Sequence, residues 1–266
     1  MATVMSTTIT RPDGSTKTEN HRVVVGMDIC PPEIPPMDVS VAQHIAEAKK
    51  IIKDGFGIDI EVEFVKDADL DKRMAEFEKQ YGEKAEEFGG LFSPGRNGLP
   101  PIIVVGYDPE QPLGFVEIYC HELQHAIDYF ELVQSLGKEF VDENFVYYLY
   151  FTEFNASRIG VFQQTRAYLQ HMPNGERQAY IDDCKAQAKK VFAKWEQRDI
   201  IDVLSYLARF AVFAKLEGKQ DDTMLAIVPQ LDKFIDILNL INRYQPTKEW
   251  YAEFKKLIDG LTVKKK

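Results

Sequence analysis

Few cysteines, no long apolar run and no excess of positive charge characterise this sequence, and each absence removes a class of protein. Cys30, Cys120 and Cys184 are its only thiols in 266 residues. A set that is odd in number and widely scattered builds neither a disulfide framework nor a cysteine-based zinc knuckle. Any bound metal is therefore expected on histidine and carboxylate. No apolar stretch approaches the ~20 residues of a membrane-spanning helix, and the opening "MATVMSTTITRPDGSTKTEN" lacks the apolar core of a secretory signal. A cytoplasmic protein is expected. Lys and Arg number 32 against 42 Asp and Glu, a net charge of −10, so neither a nucleic-acid backbone nor an anionic membrane is expected as partner. The closing Lys264, Lys265 and Lys266 form too short a run to change this.

What is present is a chain that is 45% hydrophobic, enough to bury a substantial core. Residues 1–37 hold two Thr-rich flanks around Pro12-Asp13-Gly14, which read as a hairpin or a flexible tail, followed by the Pro-rich "CPPEIPPMD". Helical spacing marks "SVAQHIAEAKKIIKD", which stops at Gly55, and alternation marks a half-buried strand in "IDIEVEF", 58–64. A second helix fits "DLDKRMAEFEKQYGEKAEEF". After the glycine- and proline-rich loop "GGLFSPGRNGLPP" comes the short apolar strand "IIVVG". Everything beyond Pro112 reads as helix: Leu113 to Leu136, Glu139 to Gln170, Asn174 to Trp195, Asp199 to Leu216 and two more, with breaks at Gly137, Pro173-Asn174-Gly175 and Gly218. The expected fold class is α+β, with a small mixed sheet and helices in a unit 38–173 and a helical region 174–266 packed on it.

Within this frame "CHELQHAIDYFE", 120–131, places His121 and His125 one helical turn apart on one face, where both imidazoles can reach one ion. Glu122, one position on, is angled beside such an ion and suits a general base. Two surface histidines on an ordinary helix would give the same spacing. A third ligand decides between these readings, and two places could supply it. Glu131 stands six residues after His125, but a helix continuing through Asp128 carries it about 9 Å along the axis and off the histidine face. Glu153, in "YFTEFNASRIG", lies on the next helix, which a turn at Gly137 returns antiparallel to the first. Ala156 and Gly160 give that helix a face with almost no side chain, so the two backbones can approach closely enough for a metal to carboxylate bond of about 2.0 to 2.2 Å. Taken alone, "FNASRIG" reads as an ordinary small-residue helix contact.

"HELQH" followed by "EFNASRIG" resembles the zincin metallopeptidases, in the branch whose third zinc ligand is a glutamate on the following helix. The resemblance covers His121, Glu122, His125, Glu153 and Ala156, and "GLFSPGRNGLPPIIVVG" is similar to the edge strand lining the zincin cleft. It implies one Zn2+ per chain, held by His121, His125 and Glu153, a water activated by Glu122, and a peptide or protein as substrate. The branch also has members with an aspartate four residues after the ligand glutamate; here that residue is Ser157. Asp128, three residues after His125, could orient an imidazole in its place, or be a plain helix-surface aspartate. For the second electrophile that such chemistry uses, Tyr147, Tyr148, Arg158 and His171 are candidates by residue type, and each also has an ordinary structural reading. Cys120 points about 100° around the helix from His121 and is expected as a buried thiol. Glu117 is expected as a favourable first-turn carboxylate. "PPIIVVG" would offer a free edge for strand addition by a peptide, or lie inside the sheet, with "SPGRNG" as a rim. A zinc hydrolase of a non-peptide amide shares every one of these residues. So does a non-catalytic helical interaction protein with a structural metal.

Overall fold

The computed structural model describes residues 3–10, 16–23, 36–82, 89–96, 98–111, 113–173, 175–192, 199–216 and 232–262. The turn at Pro12-Asp13-Gly14, most of the Pro-rich segment, Asn174 and the break expected at Gly218 lie outside the described residues. Strands β1 (Thr3–Thr10) and β2 (Thr16–Val23) pair antiparallel, Thr3 opposite Val23 and Thr10 opposite Thr16. The hairpin reading of this segment therefore holds over the paired strands.

Helix α1 (Met37–Phe56) continues through Gly55, where the sequence places its end, and stops at Gly57, whose φ of 74° suits glycine. Strand β3 (Glu61–Lys66) and helix α2 (Asp67–Tyr81) follow. Next comes β4 (Gly90–Ser93), a strand inside the stretch expected as loop, and then β5 (Ile102–Tyr107). The sheet order is β3-β5-β4, with β3 parallel and β4 antiparallel to β5. β5 is thus the interior strand, the second of the two readings of "PPIIVVG", and the sheet edges fall to β3 and β4. The reason is visible in composition: Ile102, Ile103, Val104 and Val105 are buried on both faces, as an unbroken β-branched run requires.

The helices that follow are α3 (Val116–Leu136), α4 (Lys138–Glu143), α5 (Phe145–His171), α6 (Arg177–Phe192), α7 (Ile200–Leu216), α8 (Asp232–Asn242) and α9 (Lys248–Thr262). The single helix expected over 139–170 is broken at Asn144, whose side-chain amide donates to the Phe140 carbonyl at 2.9 Å while its own carbonyl accepts from Tyr147 and Tyr148. A short polar side chain competing for backbone partners ends one helix and starts the next. The result is a mixed α+β protein, mostly helical, with one small three-stranded mixed sheet besides the hairpin among the described residues. No helix among the described residues is long and apolar enough to cross a membrane.

Helix α3 is the centre of the arrangement: it packs on β4 and β5 on one side and on α5 on the other, and α5 in turn packs on α7 and α9. One hydrophobic cluster joins Ile52 of α1, Ile103 of β5, Tyr119 and Leu123 of α3, Phe151 and Phe154 of α5, Leu204 of α7 and Phe254 of α9. Burying that continuous apolar surface is what fixes α3 and α5 against each other. Their spacing is set by the small-residue face. Ala156 is fully buried, and a Cβ added at Gly160 would stand 2.7 Å from the Glu117 backbone oxygen and 3.4 Å from His121 Cβ. Any larger residue at 160 pushes α5 away from the histidines. Gly90 plays the matching part on the sheet side, where a Cβ would meet Ile118 Cγ2 at 2.5 Å and Glu122 Cγ at 3.1 Å.

Candidate metal centre

This packing brings His121, His125 and Glu153 together. His121 Nε2 and His125 Nε2 are 2.8 Å apart, and Glu153 Oε2 lies 3.6 and 3.5 Å from them. Three ligand atoms bound at about 2.0 to 2.1 Å in near-tetrahedral geometry sit roughly 3.3 Å from one another. The observed separations straddle that value. Among the described residues this is a cluster of His and carboxylate ligand atoms all within 4.8 Å of one another, and it could hold a metal ion. Glu131, the other third-ligand position weighed from the sequence, is outside the cluster, because α3 runs unbroken to Leu136.

Two of the three, His125 and Glu153, are held from behind. His125 Nδ1 is 2.9 Å from Thr152 Oγ1, and Thr152 Oγ1 donates to Asp128 Oδ2 at 3.0 Å. With its own proton committed to Asp128, the hydroxyl accepts from His125 Nδ1–H. That puts a proton on Nδ1 and makes Nε2 the nitrogen that faces His121 and Glu153. Asp128 is 2% exposed and accepts further hydrogen bonds from Gln124 Nε2 at 2.7 Å and Asn155 Nδ2 at 2.9 and 3.0 Å. It is a buried anchor, not a surface aspartate, and it reaches His125 through Thr152 rather than directly. On the other ligand, Ser157 Oγ donates to Glu153 Oε1 at 3.1 Å.

Burial, the largest influence on Glu153, raises its pKa, but the hydrogen bonds and charges of His121 and His125 outweigh it and hold the carboxyl well below its usual range. It is a carboxylate at neutral pH. Burial pulls the His121 imidazole down, while the Glu153 hydrogen bond and the charges of Glu122, Glu153 and Glu117 lift it to a net rise. Glu122 is 7% exposed. Its burial raises the pKa against the charges of His121 and His125, the Glu153 charge adds to the rise, and the Phe92 backbone N–H favours the ionised form; the net shift is upward. For Asp128, burial pushes the pKa up to about 6 against the hydrogen bonds of Asn155, Gln124 and Thr152 and the His125 charge. Titratable groups displaced from their ordinary values are thus gathered around His121, His125 and Glu153.

The remaining candidates fall elsewhere. Tyr148 is buried and donates to the His125 carbonyl at 3.2 Å, Tyr147 donates to Asp259 Oδ1 at 2.6 Å, and Arg158 donates to Asn155 Oδ1 at 2.8 Å. His171 closes the C-terminal end of α5. His171 is not part of the His-His-Glu cluster. Cys120 is buried, as expected. Glu117 lies in the first turn of α3, as expected, and is ion-paired with Arg209 of α7. Sequence reasoning missed Thr152, Asn155 and Ser205. For the first two a signal was available: Thr152 and Asn155 are polar residues inside the aromatic run "FVYYLYFTEFN", on a helix whose surroundings are apolar. Ser205 carries no such mark.

Compared with known family models, with curated proteins and with solved structures, the chain has no match. A functional reading of the protein therefore rests on the geometry of the cluster itself.

Thr152→Val keeps the shape of the side chain and removes the hydroxyl between His125 and Asp128. Metal affinity is expected to fall about 10- to 100-fold, as it does when a ligating histidine loses its partner, in a competition titration against a chromophoric chelator. Unchanged affinity would mean that the Thr152 contact does not orient His125.

Proposed function

We propose that the protein is a zinc-dependent metallopeptidase of zincin type, with His121, His125 and Glu153 as ligands and Glu122 as general base. The observation that carries this reading is the convergence of two imidazole nitrogens and one carboxylate oxygen from α3 and α5, with the Glu122 carboxylate next to them on α3. Two imidazoles and a carboxylate are a donor set that zinc favours, and three protein ligands leave its fourth position open. A zinc ion so held supplies a Lewis acid and lowers the pKa of a water in that open position.

The chain's own residues do the rest. Glu122, its pKa raised by burial, takes a proton from the attacking water and can return it to the leaving amine. Its carboxylate is set against β4 by Gly90 and by the Phe92 N–H, so the base sits between the cluster and the sheet edge. Beyond β5, β4 has no other strand partner among the described residues, which suits addition of an extended peptide along Gly90–Ser93. Scattered thiols fit a cytoplasmic setting.

The test is a pool of proteome-derived peptides incubated with zinc-loaded, tag-free protein and read by mass spectrometry. New peptide termini that vanish with a chelator are expected. A fully zinc-loaded protein that cleaves no peptide in the pool would overturn the peptidase reading.

A further inference from the structure

We infer that the hydroxyl pair Ser157–Ser205 holds Glu153 as a one-oxygen ligand, which makes helix α7 part of the metal centre. This rests on the ligand assignment proposed above. The two oxygens of Glu153 have different surroundings: Oε2 faces His121 and His125 at 3.6 and 3.5 Å, while Oε1 accepts from Ser157 Oγ at 3.1 Å. Ser157 Oγ in turn lies 2.8 Å from Ser205 Oγ. Valence sets the direction of these two hydrogen bonds. An ionised carboxylate has no proton to give, so Ser157 donates to it. Ser157 then has only lone pairs left for its neighbour, and Ser205 must be the donor. The order is Ser205 of α7 to Ser157 of α5 to the Glu153 carboxylate, and each bond polarises the next. Ser157 is 1% exposed, so this bond is made away from bulk solvent.

The consequence concerns coordination number. A glutamate can bind a metal through one oxygen or both, and its terminal torsion is soft enough to allow either. With both oxygens on the ion, the carboxylate would take up the position that an open site keeps free. Ser157 occupies Oε1 and turns it away from the imidazoles, leaving Oε2 as the single donor. Ser205 fixes the hydroxyl that does this. The helical region after residue 174 thereby acquires a specific part in the site, besides its share of the hydrophobic core.

The test uses the full chain loaded with Co2+ in place of zinc, because the visible absorption of cobalt reports its coordination number. The wild type should show the intense bands of a four-coordinate ion. In Ser157→Ala those bands should weaken toward a five-coordinate spectrum and Co2+ affinity should drop by about 10-fold. Ser205→Ala should shift both readouts in the same direction by less, and the double variant should be no worse than Ser157→Ala alone, since the two hydroxyls act in series. A merely structural serine would lower stability and leave the spectrum unmoved. If Ser157→Ala does not fold, Ser205→Ala decides by the same readouts. Folded variants with wild-type spectrum and affinity would overturn the inference and leave the three-ligand assignment standing. A wild type that takes up no Co2+ would sink both.

Discussion

Glu153→Ala is expected to lower metal affinity by more than about 100-fold while the protein still folds. Losing the hydrogen-bond partner of a ligand already costs about 10- to 100-fold, and loss of a ligand exceeds that. The effect should be large here because Glu153 brings the only negative charge among the three ligands and is ionised at neutral pH by the two imidazoles beside it. The fold should tolerate the change, since Glu153 is only half-buried and the α3 to α5 contact is made by Ala156 and Gly160. Competition with a chromophoric chelator gives the affinity. A thermal melt with and without zinc supplies an independent readout: added zinc should raise the wild-type midpoint by mass action and leave that of the variant nearly unmoved. Equal zinc-induced shifts in both proteins would remove Glu153 from the ligand set.

The second large effect is expected from Glu122→Gln: hydrolysis reduced at least ~100-fold, with zinc still bound. Glutamine has nearly the shape of the glutamate, and its amide oxygen can still accept from the Phe92 N–H, so the space beside Gly90 stays filled. What disappears is the ability to take a proton. Because the Glu122 carboxylate is buried with its pKa raised, replacing it with a neutral group also removes a buried charge, and stability should hold or increase. Peptide cleavage and zinc content are measured on the same preparation. Zinc lost together with activity would make Glu122 a ligand; activity retained would remove it as the base.

Much of the site was legible because it depends on short spacings. His121 and His125 are one turn apart on a helix that the sequence marks clearly, and Glu153 stands out through Ala156 and Gly160, whose lack of side chain has one plain use, a close helix crossing. The fold was legible at the same level. The apolar run of β5 and the Gly137 stop after α3 need only local rules, and Gly137, at φ 89°, does end that helix. What was not legible depends on tertiary neighbours. That β4 takes the sheet edge and β5 the interior is decided by strand pairing, which four residues of "GLFS" do not announce. Thr152 became visible as a bridge only once α5 was packed on α3 beside Asp128. Ser205 reaches Ser157 from α7, far along the chain, and nothing in its own sequence surroundings marks it. The break at Asn144 turned on a side chain competing with the helix for the Phe140 carbonyl, a local effect that the apolar periodicity on either side obscured.

The central claim is that three side chains from two helices hold one zinc ion. Metal content per chain, by elemental analysis of protein purified without an affinity tag, tests it most directly. One zinc per chain is predicted. Protein that contains no zinc, and takes up none when incubated with it, would contradict the claim and leave His121, His125 and Glu153 as a polar contact between two helices.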